Sequence, residues 1–166
     1  MLSAEERAEI EHDLHHYPEK RAACIEAMKI VQRRRGWVPD DAITSIAELL
    51  DMSPAELDGV ATFFNQIYRS PVGENVILFC ESISCYLLGC NSLRDALCAK
   101  LGVGRGETTS DGEFTLVPTQ CLGCCDHAPA MMVNDELYHD VSIGALDGIL
   151  SKHRGHGPRR RQGGTP

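Results

Sequence analysis

A bundle of helices followed by an open α/β sandwich is the fold class predicted for this 166-residue chain, an α+β arrangement with its two parts in series. Three observations predict it. Apolar residues recur at helical spacing through residues 1–70, the pattern changes at Ser70-Pro71-Val72-Gly73, and strand-sized apolar runs then alternate with one-sided helical stretches. The expected boundaries are 1–71 for the bundle, 72–152 for the α/β domain and 153–166 for a basic, disordered tail.

Ser3 and Glu6 form a capping-box pattern, after which Ile10 and Leu14 share a face of the first helix and Tyr17-Pro18 ends it. A second helix is expected from about Lys20 to Arg35. Ile25, Met28 and Val31 stand at helical spacing, Arg33, Arg34 and Arg35 suit its negative end, and Gly36 closes it. Pro39 and Asp40 open a third helix with a stripe of Ile43, Ile46 and Leu50. Ser53-Pro54-Ala55-Glu56 starts a fourth with a capping box and a proline at its first position, and Leu57, Val60, Phe64 and Ile67 are read as its stripe.

Beyond the boundary, Val76 to Phe79 reads as a buried strand ending at Cys80. Asn91 or Ser92 is the expected cap of a helix carrying Leu93, Leu97 and Leu101. Phe114 to Val117 gives a second strand, Ala130 to Val133 a third, and Ser142 to Leu150 a last helix.

A chain of this length buries a proper core and needs no cysteine staples. The start, Ser3-Ala4-Glu5-Glu6-Arg7, is acidic and helical rather than basic and apolar, so a reducing cytoplasm is the expected home of its eight cysteines. No apolar run approaches the roughly 18 residues that a spanning helix requires. Residues 151–166 hold five of the 16 Lys and Arg and no acid, which leaves 11 − 24 = −13 on residues 1–150. An acidic body argues against nucleic acid as the main partner, because neutralising phosphate needs clustered cations.

The chemistry is carried by two unevenly spaced cysteine pairs, Cys80 with Cys85 and Cys121 with Cys125, each placed in a loop at a strand end. Loops leaving one edge of a sheet converge on a single ion or cluster. Sulfur-only ligation selects zinc or an iron-sulfur cluster, and the four-residue gap between Cys80 and Cys85 matches the first gap of plant-type ferredoxins. Spacing alone leaves zinc and unligated thiols open, and it does not exclude Cys124 as a ligand. Cys121-Leu122-Gly123-Cys124 also reads as a redox C-x-x-C, although such a motif normally begins a helix and Asp126-His127-Ala128-Pro129 leads towards a strand.

These residues resemble the thioredoxin-like 2Fe-2S subunits of respiratory complex I, the NADH-quinone oxidoreductase of bacteria. The likeness runs from Leu2 to about Lys152. It includes Ile30-Val31-Gln32-Arg33-Arg34-Arg35-Gly36-Trp37-Val38-Pro39, Gly59-Val60-Ala61-Thr62-Phe63-Phe64, Pro71-Val72-Gly73, the C-x4-C, and Cys121-Leu122-Gly123-Cys124-Cys125-Asp126 followed by Ala128-Pro129 and Met132. The resemblance implies a thioredoxin-like α/β domain carrying one 2Fe-2S cluster on Cys80, Cys85, Cys121 and Cys125, with Cys124 in the gap. It also implies that FMN and NADH are bound by a neighbouring subunit, with which the cluster exchanges single electrons. The complex so implied is a proton-translocating NADH:quinone oxidoreductase, in which this chain would be a cytoplasmic subunit of the peripheral arm, peripheral on the inner face of the cell membrane and without complete activity alone.

The residues agree with that division, since Gly102-Val103-Gly104-Arg105-Gly106 follows a helix and precedes a strand, the wrong context for a dinucleotide fingerprint. Other constellations are weaker. His12, His15 and His16 read as a polar helix face, His127 as surface or support beside the cysteine loop, Cys24, Cys90 and Cys98 as small hydrophobes, and Trp37 as a packing residue. Two further function classes stay in view: the equivalent module of a soluble NAD-linked hydrogenase or formate dehydrogenase, and a zinc-stabilised adaptor. The helical part, with Phe63 and Tyr68, is expected to supply much of the interface to the flavin subunit.

Overall fold

The computed structural model describes residues 1–155. The basic tail expected at 153–166 therefore lies outside the described residues, apart from His153, which ends a helix, and the two residues after it. Two compact units divide between Pro71 and Val72.

The first unit holds four helices: α1 (Ala4–Leu14), α2 (Cys24–Arg35), α3 (Asp40–Leu49) and α4 (Pro54–Phe63). Capping boxes open α1 and α4, where the Ser3 and Ser53 hydroxyls accept from Glu6 N and Glu56 N and the glutamates accept in return from the cap backbone. The stretch expected to begin α2 is instead a separate 3-10 turn, Lys20–Ala23, and α2 closes on Gly36 in the left-handed region at φ +84°. α4 stops at Phe63, so Phe64 and Ile67 do not continue its stripe. Phe64 is extended and 40% exposed, while Ile67 reaches the core from the following turn, in which its N–H donates to Phe64 O.

The core of this unit is apolar, built on Met28, Ile30, Val31, Ile46, Leu50 and Leu57. Charged pairs, most of them at the rim, tie its elements together. The three arginines at the end of α2 bond to acids of α1: Arg33 to Glu9, Arg34 to Glu5 and Glu9, and Arg35 to Glu6. Arg69 donates to Asp58 of α4 and Asp40 of α3, and also to the Val38 carbonyl.

The second unit is a four-stranded sheet in the order β2-β1-β3-β4, with β1 (Asn75–Cys80), β2 (Phe114–Thr119), β3 (Met131–Val133) and β4 (Glu136–Tyr138). β1 and β2 are parallel, joined by a crossover through α5 (Ile83–Leu87) and α6 (Cys90–Leu101), whereas β3 is antiparallel to both β1 and β4. β4 has no counterpart among the strands expected from the sequence. It is three residues long and reached through Asn134, which takes φ +54°, a conformation asparagine tolerates in tight hairpins. α6 starts at Cys90 behind Gly89 rather than at an Asn91 or Ser92 cap. The last helix is a 3-10 turn, Ile143–Ala145, followed by α7 (Leu146–His153).

Ile77 and Phe79 of β1, Phe114 and Leu116 of β2 and Met131 and Val133 of β3 share one core with Leu93 and Leu97 of α6 and Leu146 and Leu150 of α7. The spacing of two along each strand places these residues on one sheet face. The buried Asn75 side chain bonds the Glu113 and His153 carbonyls and accepts from Asn134 Nδ2, fixing the start of β1. Gly73 explains the break in pattern at residues 71–73. A Cβ there would sit 2.7 Å from the Gly112 carbonyl oxygen, so only glycine lets the entering chain lie against the turn before β2.

Candidate metal centre

Because β1 and β2 are parallel and in register from Asn75↔Phe114 to Cys80↔Thr119, both strands deliver the chain that follows them to the same sheet edge. Cys80 is the last residue of β1 and Cys121 comes two residues after β2. The backbone continues the pairing for one more step, with Glu81 N donating to Thr119 O at 2.9 Å. The Cys80 thiol lies 3.7 Å from the Gln120 carbonyl.

Cys85, expected in a loop, lies instead on α5, a helix of five residues that begins behind Ser82. The short helix turns Cys85 inward, 2% exposed like Cys80, and leaves Ile83 and Leu87 facing solvent at 67% and 73% exposure. Burial pushes the Cys85 thiol up to about 11, with the neighbouring Cys80 adding to the effect and the Ala130 backbone opposing it.

On the other side of the edge, Gly123 takes φ +78° and its N–H donates to Cys121 Sγ at 3.3 Å, which lowers that thiol's pKa. Cys125 opens the 3-10 turn Cys125–His127, its sulfur 3.6 Å from that of Cys121. The bond to Cys121 raises the Cys125 thiol, and the Ser84 hydroxyl of α5 pulls it the other way. Ser84 and Cys80 both act on Cys125, so the two cysteine loops meet. Cys124 is half-buried and packs against the core.

All eight cysteines are free thiols. A disulfide needs its sulfurs about 2.05 Å apart, so Cys121 and Cys125, at 3.6 Å, are not bonded to one another. The sulfurs are also spread out, because the group of three or more metal-ligating residues found within 4.8 Å of one another among the described residues is His127, His139 and Asp140, not the cysteines. Around a single tetrahedral zinc, four sulfurs at about 2.3 Å from the ion lie about 3.8 Å apart. Cys121 and Cys125, 3.6 Å apart, match the spacing of two sulfurs on one metal ion, and a two-iron centre accommodates a second pair set further off.

Two neighbours flank the cysteines, one of them, Cys90, buried as a small hydrophobe as expected and the other, Glu81, not singled out in the sequence. Cys90, at the start of α6, is buried and its thiol is raised by that burial, close enough for Cys80 to influence it. Glu81, next to Cys80, is held by Arg105 and by Arg94 at 3.6 Å, with its buried Oε1 making no hydrogen bond. Neither has a spacing that marks it in the sequence. His12, His15 and His16 are exposed at the end of α1, and Trp37 is half-buried. Residues 102–106 form a connection in which Gly106 N donates to Leu116 O.

Thiols gathered at one edge of a four-stranded α/β unit, which follows a helical unit in the sequence, are the mark of a ferredoxin-type cluster protein. The chain belongs to the thioredoxin-like 2Fe-2S ferredoxin family, whose model matches residues 10–154. Within it, the chain belongs with the NADH-quinone oxidoreductase subunits designated E. It is 52% identical over 153 residues to the one from Pseudomonas aeruginosa and 48% identical to the one from Escherichia coli, covering 92% of each chain in both comparisons. Its fold is also similar to that of a chain of an NAD+-reducing NiFe-hydrogenase crystallised in the H2-reduced state. The TM-score is 0.67 at 20% identity, over 85% of this chain and 24% of that one.

Proposed function

We propose that this chain is the electron-carrying subunit of an NADH-quinone oxidoreductase, with Cys80, Cys85, Cys121 and Cys125 holding one 2Fe-2S cluster. The observation that carries the reading is the parallel β1–β2 pair, which sends both cysteine pairs to one edge, where their thiols influence one another. Bound there, a 2Fe-2S cluster supplies reversible one-electron transfer.

The chain's own residues set the conditions. Gly123 N–H donates to the sulfur of Cys121, a bond that stabilises the thiolate. Cys80 and Cys85 keep one side of the site dry, and the exposed Cys121 and Cys125 leave the other side open to a partner. That partner is the subunit that binds FMN and NADH. This chain sits on the cytoplasmic side, peripheral on the inner face of the membrane as part of that complex, a placement compatible with the finding that no helix among the described residues is long and apolar enough to cross a membrane.

The test is an electron paramagnetic resonance spectrum of anaerobically purified, dithionite-reduced protein, with iron and zinc counted on the same sample. A spin-half signal with about two irons per chain is expected. Little iron with about one zinc per chain would make the cysteines a structural site and remove the electron-transfer reading.

Two apolar surfaces are assigned to assembly. Phe63 of the helical unit is 81% exposed, whereas Tyr68, expected beside it, is half-buried and its backbone is bonded to Val38 and Gln32. In the second unit, Ile83, Tyr86, Leu87 and Leu88 leave an exposed apolar face on and just after the helix that carries Cys85. Phe63→Asp, and separately the pair Ile83→Asp with Leu87→Asp, are expected to abolish co-purification with the complex while iron per chain stays unchanged. Loss of iron together with assembly would show that these faces serve folding instead.

A further inference from the structure

We propose that His127, His139 and Asp140 form a second site, for one divalent transition-metal ion of the zinc class, separate from the cysteines. The Nδ1 atoms of His127 and His139 each lie 3.0 Å from the same oxygen, Oδ2 of Asp140, and the two rings stand 5.1 Å apart. Among the described residues this is the group whose potential ligand atoms fall within 4.8 Å of one another.

Backbone bonds hold the three together. Asp140 N donates to His127 O at 2.8 Å and Val141 N to Pro129 O at 3.0 Å, joining the segment after β4 to the turn that begins at Cys125. Asp140 adopts φ +51°, a left-handed conformation open to aspartate but unfavourable for most residues.

Two imidazole nitrogens and a carboxylate oxygen are the donor set of zinc and its neighbours, and three protein ligands with a water in the fourth position is a common form of such a site. Ligand atoms on a tetrahedral zinc lie about 3.3 Å apart, so the 3.0 Å spacings need little adjustment. Without an ion, one carboxylate oxygen serves two ring nitrogens. Asp126 Oδ2 lies 3.7 Å from Nε2 of His127, the ring nitrogen left over when Nδ1 ligates; it makes no hydrogen bond there but is the carboxylate nearest to the supporting position that metal-bound histidines usually fill. All three ligands are more than half exposed, which leaves the ion a path in. An ion there ties the turn carrying Cys125 to the end of the β-hairpin.

The full-length chain, purified with its iron and dialysed against a weak chelator, would be titrated with zinc chloride in a calorimeter, with iron counted before and after. One zinc per chain is expected with iron unchanged, weakened at least about tenfold by His139→Ala and by Asp140→Asn. Substituting His12, His15 and His16 together by alanine should leave it as it was. Circular dichroism melting of the variants, whose altered side chains are all exposed, shows whether they fold. The proposal is overturned by no uptake in the parent protein, by uptake that His139→Ala leaves intact, or by uptake that displaces iron and so places zinc on the cysteines.

Discussion

Serine in place of any one of Cys80, Cys85, Cys121 or Cys125 is expected to strip the purified chain of its cluster, while Cys124→Ser leaves iron per chain at the parent level. A serine hydroxyl is nearly the size of the thiol, but it is a hard, weakly acidic donor, poorly matched to a soft thiolate position. Changing groups that only support a ligand costs about 10- to 100-fold in metal affinity, and removing a ligand costs at least that. The contrast with Cys124 is the sharper half of the prediction. Cys121 and Cys125 have sulfurs 3.6 Å apart, whereas Cys124 is half-buried against the core of the second unit. Iron content and the reduced-state resonance signal, measured across the five variants, check it. Retention of the cluster in Cys125→Ser with its loss in Cys124→Ser would exchange their roles.

The same cysteines show what spacing conveys and what it does not. C-x4-C and C-x3-C are visible because ligand spacing is local, and the strands before the two pairs are visible because Val76 to Phe79 and Phe114 to Val117 are strand-sized runs rich in apolar and β-branched residues. That both loops leave one edge depends on β1 and β2 being parallel. A helix between two apolar strands suggests that arrangement, but only the register from Asn75↔Phe114 to Cys80↔Thr119 places Cys80 and Cys121 together. α5 was not legible because its apolar residues point outward, so it carries no core stripe, and what it buries is a thiol. β4 is too short for a period-two pattern and depends on β3 for its pairing.

In the first unit the helices were legible from their caps and stripes, and the end of α4 was not. Phe64 and Ile67 fit the helical period but reach their places through an extended residue and a turn. The pairing of His127 with the adjacent His139 and Asp140 joins positions 12 and 13 residues apart through a hairpin and a left-handed backbone, which no local spacing announces.

The second large effect concerns Glu6, an acid that doubles as capping-box partner and buried ion. Its side chain is only 3% exposed, and Arg35 reaches it from α2 with Nε on Oε1 at 2.8 Å and a second nitrogen on Oε2 at 2.5 Å. The arginine's hydrogen bond holds the Glu6 carboxyl below its ordinary 4.5, against the opposing effect of burial. An acid lowered in this way stabilises the fold above its unfolded value and loses that contribution as pH falls through the folded value. Arg35→Met is therefore expected to destabilise the helical unit by about 3 kcal/mol at pH 7, the low end for breaking a buried pair, because 26% of the Arg35 side chain is exposed.

Urea unfolding followed through Trp37, the only tryptophan and two residues from Arg35, reports on this unit directly. The gap between parent and variant should narrow as pH is lowered from 7 to below 4.5, since protonating Glu6 removes the charge that Arg35→Met strands. Adding Glu6→Gln to Arg35→Met should recover part of the loss at pH 7, because the neutral amide still caps α1 without needing a cation. A cost below about 1 kcal/mol, the range of exposed pairs, or a gap that does not change with pH, would mean that the apolar core of α1 and α2 holds the helices together without this ion pair.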